Sequence, residues 1–179
     1  PGPNVEAFAR ALAEAGYVAM TPDLFSLHDF GAAGRTDHPL VLGDVDGALK
    51  FLRSHPRADP DRLGVVGFSF GGRLAVLLGA MRPGDLRAVV VYYAIASHQD
   101  LGRPLAGRAA RAEPLTRRVA SLHAAVLIHH GEADANVPVG QARLLHQALL
   151  TAGKSSTLHT YPGADHLFNF SLGPDARFH

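Results

Sequence analysis

Residues 67–71 combine a serine with the small neighbours that a reactive serine requires. They read Gly-Phe-Ser-Phe-Gly and match the G-x-S-x-G pattern of a nucleophile elbow, in which the serine occupies a strained turn between a strand and a helix. We expect Gly67 and Gly71 to let the two elements pass closely, and Gly72 to let the helix pack against the sheet. Ser69 is therefore the candidate nucleophile. The alternative is a glycine-rich strand–helix turn with an unreactive serine.

A serine hydroxyl is a weak nucleophile until a base removes its proton, so a histidine must lie near Ser69. His166 follows the last predicted strand, and the sites of open α/β sheets form at the carboxyl ends of their strands. His129 and His130 end the preceding strand and are candidates as well. For the other histidines we expect surface or packing roles: His28, His38, His55, His98, His123, His146, His159 and His179.

The imidazole in turn needs a carboxylate that fixes its tautomer and stabilises its cation. Asp134 lies just beyond the predicted strand at 124–129, and the order Ser69, Asp134, His166 is the one expected of an α/β-hydrolase. Glu132 is the rival acid, although we expect it to cap or line the turn. Asp165 adjoins His166 in sequence, where we expect a surface role in the loop.

Hydrophobic periodicity predicts the elements that must position these residues. Apolar runs of strand length alternate with helical patterns, which indicates a parallel sheet covered on both faces and a single α/β domain over residues 1–179. Asn4 is the predicted N-cap of the first helix. The predicted helices are 5–16, 41–54, 73–81 and 139–152, and the predicted strands are 17–20, 63–67, 86–93, 124–129 and 155–161.

Residues 97–123 stand apart because they are long for a crossover between two strands. They hold five arginines against Asp100 and Glu113. One interpretation is a solvated surface helix with loops. The other is a cap over the site that attracts anionic substrates.

Composition excludes several classes of protein. The chain has no cysteine, which excludes disulfides, zinc–thiolate sites and a cysteine nucleophile. Its formal net charge of +1 provides no broad cationic field for nucleic acid. No apolar run is long enough to span a membrane, no signal peptide is visible, and the H-E-x-x-H metal motif is absent. We expect a cytoplasmic protein without cofactor or metal, and the oligomeric state stays open.

Four stretches of the chain together resemble the dienelactone hydrolase family of α/β-hydrolases. They are residues 15–24, 67–72, 131–138 and 163–168, which run in the family's order across almost the whole chain. The resemblance implies Ser69 as nucleophile, Asp134 as acid and His166 as base. It also implies that the backbone N–H of Phe70 is one donor of the oxyanion hole.

The chain departs from the family's pattern in two ways. The founding members use cysteine where this chain has Ser69, which favours a serine esterase over thiolate chemistry. The family's first three strands, its thiolate-managing glutamate, its other oxyanion donor and its final helix would fall outside the 179 residues. The third of those strands would lie between the strands predicted at 17–20 and 63–67. We therefore expect the chain to be part of a longer polypeptide.

The leading hypothesis is a hydrolase of small carboxylic esters or lactones that works through an acyl-enzyme. A serine peptidase or acyl-aminoacyl hydrolase on the same fold is the runner-up, because fold and triad do not fix the substrate. A non-catalytic scaffold is the hypothesis from another class. Phe25 and Phe168 are candidates for the acyl pocket but could equally be core residues, and the same holds for Tyr92 and Tyr93.

Overall fold

The computed structural model describes residues 2–24, 38–99 and 112–171. None of the helices within these ranges is long and apolar enough to cross a bilayer. The helices are α1 (Pro3–Glu14), α2 (Pro39–Ser54), α3 (Phe70–Met81), α4 (Gly140–Thr151) and α5 (Phe168–Ser171). The strands are β1 (Gly64–Phe68), β2 (Ala88–Tyr92), β3 (Ala125–Gly131) and β4 (Ser156–Tyr161), and two short 3-10 helices cover Leu115–Arg117 and Val119–Ser121.

The four strands pair in parallel in the order β1-β2-β3-β4, so their carboxyl ends share one edge of the sheet. Phe68, Tyr92 and His129 are register partners at the ends of β1 and β2. The pairing of β3 with β4 continues two residues further, to Gly131 and Tyr161. At a rise of about 3.3 Å per residue, the loops after β3 and β4 therefore start about 6–7 Å above the turn after β1.

The two faces of the sheet are covered differently. Helix α3 packs on β1 and β2, and α4 packs on β3 and β4, so this face carries the core. The sheet side chains on this face are buried aliphatic residues: Val89, Val91, Val126 and Ile128. The opposite face carries a row of stacked rings at one register level, from Phe68 through Tyr92 and His129 to His159. Phe8 of α1 packs edge-on against Phe68.

Most of the predicted elements are present, with three corrections. Residues 17–20 form no strand, because a strand exists only where its backbone pairs, and β1 pairs with β2 alone among the described strands. Asn4 is not the N-cap of α1. Gly2 holds that position without a side-chain hydrogen bond, and Pro3 opens the helix, where its missing N–H is no loss. Helix α3 starts at Phe70, three residues before the predicted boundary.

The arginine-rich segment at 97–123 is described at its two ends only. Arg103, Arg108 and Arg111 lie outside the described residues, and the cap over the site stays a prediction. After this gap, the chain buries Leu115, Val119 and Leu122 in the core, next to α3 and α4. This part of the segment is therefore anchored, not a solvated surface helix.

Candidate active site

Ser69 stands alone between β1 and α3, in the left-handed region of backbone space. Its φ is 51° and its ψ is −114°, which is strained for a residue with a side chain. Its N–H donates to the carbonyl of Tyr92 at 2.9 Å, and its own carbonyl accepts from Gly72 N at 3.0 Å. The neighbouring strand and the first turn of α3 therefore hold the strained conformation from both sides.

The glycines around Ser69 have different roles. A Cβ on Gly67 would overlap the backbone carbonyl of Gly71, and one on Gly72 would lie 2.8 Å from the Cβ of Ala94. These two positions require a small residue, as the sequence predicts. A Cβ on Gly71 would meet no described atom within 4 Å. The prediction that Gly71 permits a close approach is therefore wrong. The backbone carbonyl of Gly71 lies against Gly67, so the contact requires the missing side chain of Gly67 and not that of Gly71.

Asp134 lies in the acid loop (residues 132–138), which joins β3 to α4. Its side chain is fully buried, with 0% exposure. One carboxylate oxygen, Oδ1, accepts from the backbone N–H groups of Asn136 at 2.9 Å and Val137 at 2.8 Å. Such donors fix the orientation of the carboxylate. The second oxygen, Oδ2, faces the next loop.

His166 lies in the base loop (residues 162–167), which joins β4 to α5, and its imidazole bridges the other two side chains. Its Nδ1 lies 2.7 Å from Oδ2 of Asp134, and its Nε2 lies 3.2 Å from Oγ of Ser69. Because a carboxylate can only accept, the proton is on Nδ1. Nε2 then presents a lone pair to the Ser69 hydroxyl, which is the arrangement that a general base requires.

The two rival histidines do not reach Ser69. The ring of His129 is stacked on Tyr92, and its Nδ1 lies 2.7 Å from the hydroxyl of Tyr161. Burial and the neighbouring His159 lower the pKa of His129 to about 4. His130 points to the opposite face of β3, where it is fully buried and its Nε2 donates to the carbonyl of Val137 at 2.8 Å. Burial lowers the pKa of His130 as well.

The hydrogen bonds described for the two rival acids go to groups other than the imidazole. Glu132 accepts a hydrogen bond from the hydroxyl of Thr160 on β4, at 2.7 Å. Asp165 uses Oδ1 to accept from the N–H groups of His166 at 2.7 Å and Ala135 at 3.2 Å, and these bonds lower its pKa. It therefore ties the base loop to the acid loop, a role beyond the surface position that the sequence predicts.

The acid loop and the base loop also touch directly through their backbones. Ala133 N donates to the carbonyl of Ala164 at 2.9 Å. A Cβ on Gly131 would overlap that same carbonyl, so only glycine permits this approach at the end of β3. Leu167, directly after His166, is a second non-glycine residue with a left-handed φ, here 63°. Tertiary contacts thus shape the backbone on both sides of His166.

Two buried residues lie beside His166 whose role the sequence does not reveal. The sequence leaves Tyr93 open between substrate pocket and core, and in the structure it is fully buried with its ring centroid 4.5 Å from that of His166. Its hydroxyl donates to Oδ1 of Asn169 at 2.8 Å. Asn169 carries no motif or periodicity that would have singled it out.

Within residues 2–24, 38–99 and 112–171, no group of three or more His, Asp or Glu side chains could hold a metal ion. Of the predicted pocket residues, Phe25 lies outside the described residues. Phe168 packs against Tyr161 and Tyr93, with ring centroids 4.7 and 6.0 Å apart.

Comparison with known proteins places this chain in a family. The model of the dienelactone hydrolase family matches residues 2–176. A Methylorubrum extorquens protein named "Putative carboxymethylenebutenolidase" is 29% identical over 97% of this chain. A Bradyrhizobium protein named "Probable 2-oxo-3-(5-oxofuran-2-ylidene)propanoate lactonase" is 32% identical over 88% of it. The chain spans 61% and 64% of the lengths of these two relatives.

The fold of the chain is also similar to that of a solved structure. The crystal structure titled as that of a "Putative Dienelactone Hydrolase" from Klebsiella pneumoniae superposes with a TM-score of 0.75 and 28% identity. The match covers 94% of this chain and 72% of that one. Because the family model matches nearly the full length of the chain, the protein belongs to the dienelactone hydrolase family.

Proposed function

We propose that this protein hydrolyses small carboxylic esters or lactones through an acyl-serine intermediate. The single observation that carries the proposal is the continuous chain of side-chain contacts from Asp134 through His166 to Ser69. In that chain the carboxylate fixes the tautomer, the imidazole is the base and the hydroxyl is the nucleophile. Family membership and the two named relatives support the same class of reaction.

In the acylation step, Nε2 of His166 removes the proton of the Ser69 hydroxyl as Oγ attacks the carbonyl carbon. The resulting imidazolium is stabilised by the buried carboxylate of Asp134. Collapse of the tetrahedral intermediate breaks the bond to the alcohol oxygen. That oxygen takes the proton from Nε2, which leaves an acyl group on Ser69 and a neutral imidazole.

The negative charge of the intermediate develops beside the N-terminus of α3. Phe70 opens this helix, and the first N–H groups of a helix lie outside its own hydrogen-bond ladder. We assign the N–H of Phe70 as one oxyanion donor, a role worth roughly 3–4 kcal/mol in comparable sites. The positive end of the helix dipole acts in the same direction.

Deacylation repeats these steps with water as the nucleophile. Nε2 of His166 takes a proton from water, the hydroxide oxygen attacks the acyl carbon, and Ser69 leaves with the proton returned by the imidazolium. The carboxylic acid is released and the enzyme is restored. With a lactone the alcohol and the acid are one molecule, and the lactonase name of the Bradyrhizobium relative supports including cyclic esters.

The test is intact-mass labelling of the 179-residue chain with a fluorophosphonate, which reacts only with an activated serine. We expect one adduct on the parent chain and none on Ser69→Ala, with turnover of a short-chain aryl ester lost in the same variant. Circular dichroism of both samples controls for folding. A folded parent chain that forms no adduct would contradict the proposal and favour the non-catalytic scaffold.

A second comparison separates esterase from peptidase. The parent chain is offered a short-chain aryl ester, a small lactone and a peptide anilide at equal concentration. The proposal expects the ester and the lactone to be hydrolysed faster. Preferential cleavage of the anilide would replace the proposed substrate class with that of a serine peptidase.

A further inference from the structure

The backbone of Tyr93 is strained where that of a glycine would not be. Its φ is 41°, in the left-handed region that glycine and asparagine tolerate far better than a bulky residue. Within the described ranges, the other non-glycine residues with such a φ are Ser69 and Leu167, the candidate nucleophile and the neighbour of the candidate base. Strain of this kind persists where the surrounding structure enforces it, and it clusters at functional sites.

The main chain of Tyr93 lies where three parts of the site meet. The preceding carbonyl, that of Tyr92, accepts the N–H of Ser69 at 2.9 Å. The N–H of Tyr93 donates to the carbonyl of His129 on β3, also at 2.9 Å. These two bonds fix the turn after β2 against both the nucleophile and the strand that leads to the acid loop.

The side chain of Tyr93 then reaches the third part, the base loop. Its buried ring lies against the imidazole of His166, with the two ring planes tilted by 56°. Its hydroxyl donates to Oδ1 of Asn169, which lies three residues after His166 in α5. Asn169 is itself buried, and its Nδ2 has no hydrogen-bond partner in the part of the chain that the structure describes. The Tyr93 hydroxyl is therefore the contact that holds this amide.

We infer that Tyr93 is a positioning residue for His166. Its ring supports one side of the imidazole, and its hydroxyl fixes Asn169 and with it the backbone that follows the base. Tyr93 has no exposed surface and so acts through His166 without touching the substrate. The inference rests on the proposed function, because it takes His166 as the base.

The chain offers a matched pair of variants for the test. Tyr93→Phe keeps the ring and removes the hydroxyl. Tyr161→Phe also removes one hydroxyl at the carboxyl end of a strand, one that contacts His129 and not His166. Asn169→Ala breaks the Tyr93 contact from the other side, and it replaces Tyr93→Phe if that variant does not fold.

The first measurement is the kinetics of short-chain ester hydrolysis and of fluorophosphonate labelling. We expect Tyr93→Phe and Asn169→Ala each to lower kcat and the labelling rate about tenfold, with KM unchanged, because a small displacement of the base slows the chemical step. The double variant should lose no more than either single one, since both break one contact. Tyr161→Phe should match the parent. A rise in KM alone, or additive losses, would overturn the inference.

The second measurement does not depend on activity. The Nδ1 proton of His166, bonded to Asp134, is observed by proton NMR through its exchange with water. We expect faster exchange in Tyr93→Phe and Asn169→Ala, and parental exchange in Tyr161→Phe. A parent chain that is never labelled would refute the proposed function, whereas equal exchange in all variants would refute the role of Tyr93.

Discussion

At Ser69 the strand, the turn and the helix that set the side chain all lie within residues 64–81, whereas Asp134 and His166 stand 32 residues apart on separate loops. Ser69 is held by contacts local in sequence, apart from the bond to Tyr92. The loops that carry Asp134 and His166 are held to each other by the bonds that Asp165 and the Ala164 carbonyl accept from the acid loop.

Because different contacts hold the two halves of the site, we expect that one half can be disrupted without the other. We expect a change in the acid or base loop to leave the strained turn at Ser69 intact, because the backbone bonds that hold the turn come from Tyr92 and Gly72 and not from those loops. Conversely, a change that relaxes the turn leaves the bond between Asp134 and His166 in place. Variants that separate the two halves therefore test the description directly.

The largest effect is expected from Asp134→Asn, which damages the acid–base half alone. An amide NH₂ group at the position of Oδ2 would favour the tautomer with its proton on Nε2, which can no longer accept the proton of Ser69. We expect fluorophosphonate labelling to slow by about 10³-fold to 10⁴-fold, with unchanged circular dichroism. The measurement is the second-order rate constant of labelling.

Glu132→Gln is the matched control for this variant. It makes the same change of carboxylate to amide on the same loop, but at a side chain that contacts Thr160 instead of the imidazole. We expect its labelling rate to stay within about twofold of the parent. An equal loss in both variants would show that the loop, and not the carboxylate of Asp134, supports the base.

The next largest effect is expected from two glycine substitutions, one in each half of the site. Gly67→Ala and Gly131→Ala both drive a methyl group into a backbone carbonyl, that of Gly71 in the nucleophile half and that of Ala164 in the other. We expect each to lower the free energy of unfolding by about 3 kcal/mol, as measured by urea denaturation.

The controls are Gly71→Ala and Gly140→Ala. Both positions are helical, and a Cβ there meets no described atom within 4 Å. Because alanine favours a helix over glycine by up to about 1 kcal/mol, these variants should be as stable as the parent or slightly more so. A Gly71→Ala variant as unstable as Gly67→Ala would contradict the assignment of the close approach to Gly67.

The smallest effect expected is a dependence of the free energy of unfolding on pH, which arises at His129 of β3 beside His159 of β4. Burial and His159 lower the pKa of His129 from 6.5 to about 4, so the unfolded chain binds more protons than the folded one between these values. Stability should therefore fall by roughly 2–3 kcal/mol as the pH drops through this window. Urea midpoints measured from pH 7 to pH 4.5 check this.

His129→Phe keeps a ring in the stack but removes one titrating group, so it should reduce the slope even if it lowers the midpoint at neutral pH. The slope that remains belongs to groups such as His130, whose pKa burial also lowers. His123→Phe is the control, because His123 is exposed and outside the stacked row. It should show the parental slope. A His129→Phe variant that retains the full slope would place the acid-sensitive group elsewhere.

The sequence predicts the elements around Ser69 better than the contacts between distant parts of the chain. The strand and helix around Ser69 are predictable because hydrophobic periodicity and the glycine pattern are local signals. The prediction at 17–20 fails for the opposite reason: an apolar run has strand propensity, but a strand also requires a neighbour for its backbone.

Residue types and spacing alone narrow the candidate base to three histidines and the candidate acid to three carboxylates, and the resemblance to the family then implies His166 and Asp134. His129, His130 and His166 all follow or end strands, and only the folded chain brings the ring of His166 within 3.2 Å of Oγ of Ser69. The left-handed backbone of Tyr93 is less predictable still, because tyrosine has no local preference for that conformation and tertiary contacts enforce it.

The strand order, which follows the chain order, also decides when in folding the proposed nucleophile meets its proposed base. The contact between Ser69 and His166 spans 97 residues and needs β4 in place beside β3, so it closes a larger loop than the pairing of consecutive strands does. Under the proposed function, Ser69 is an ordinary alcohol without a base until that closure. We therefore expect a nascent or partly unfolded chain to be inert toward acyl groups, so that reactivity would mark completion of the fold.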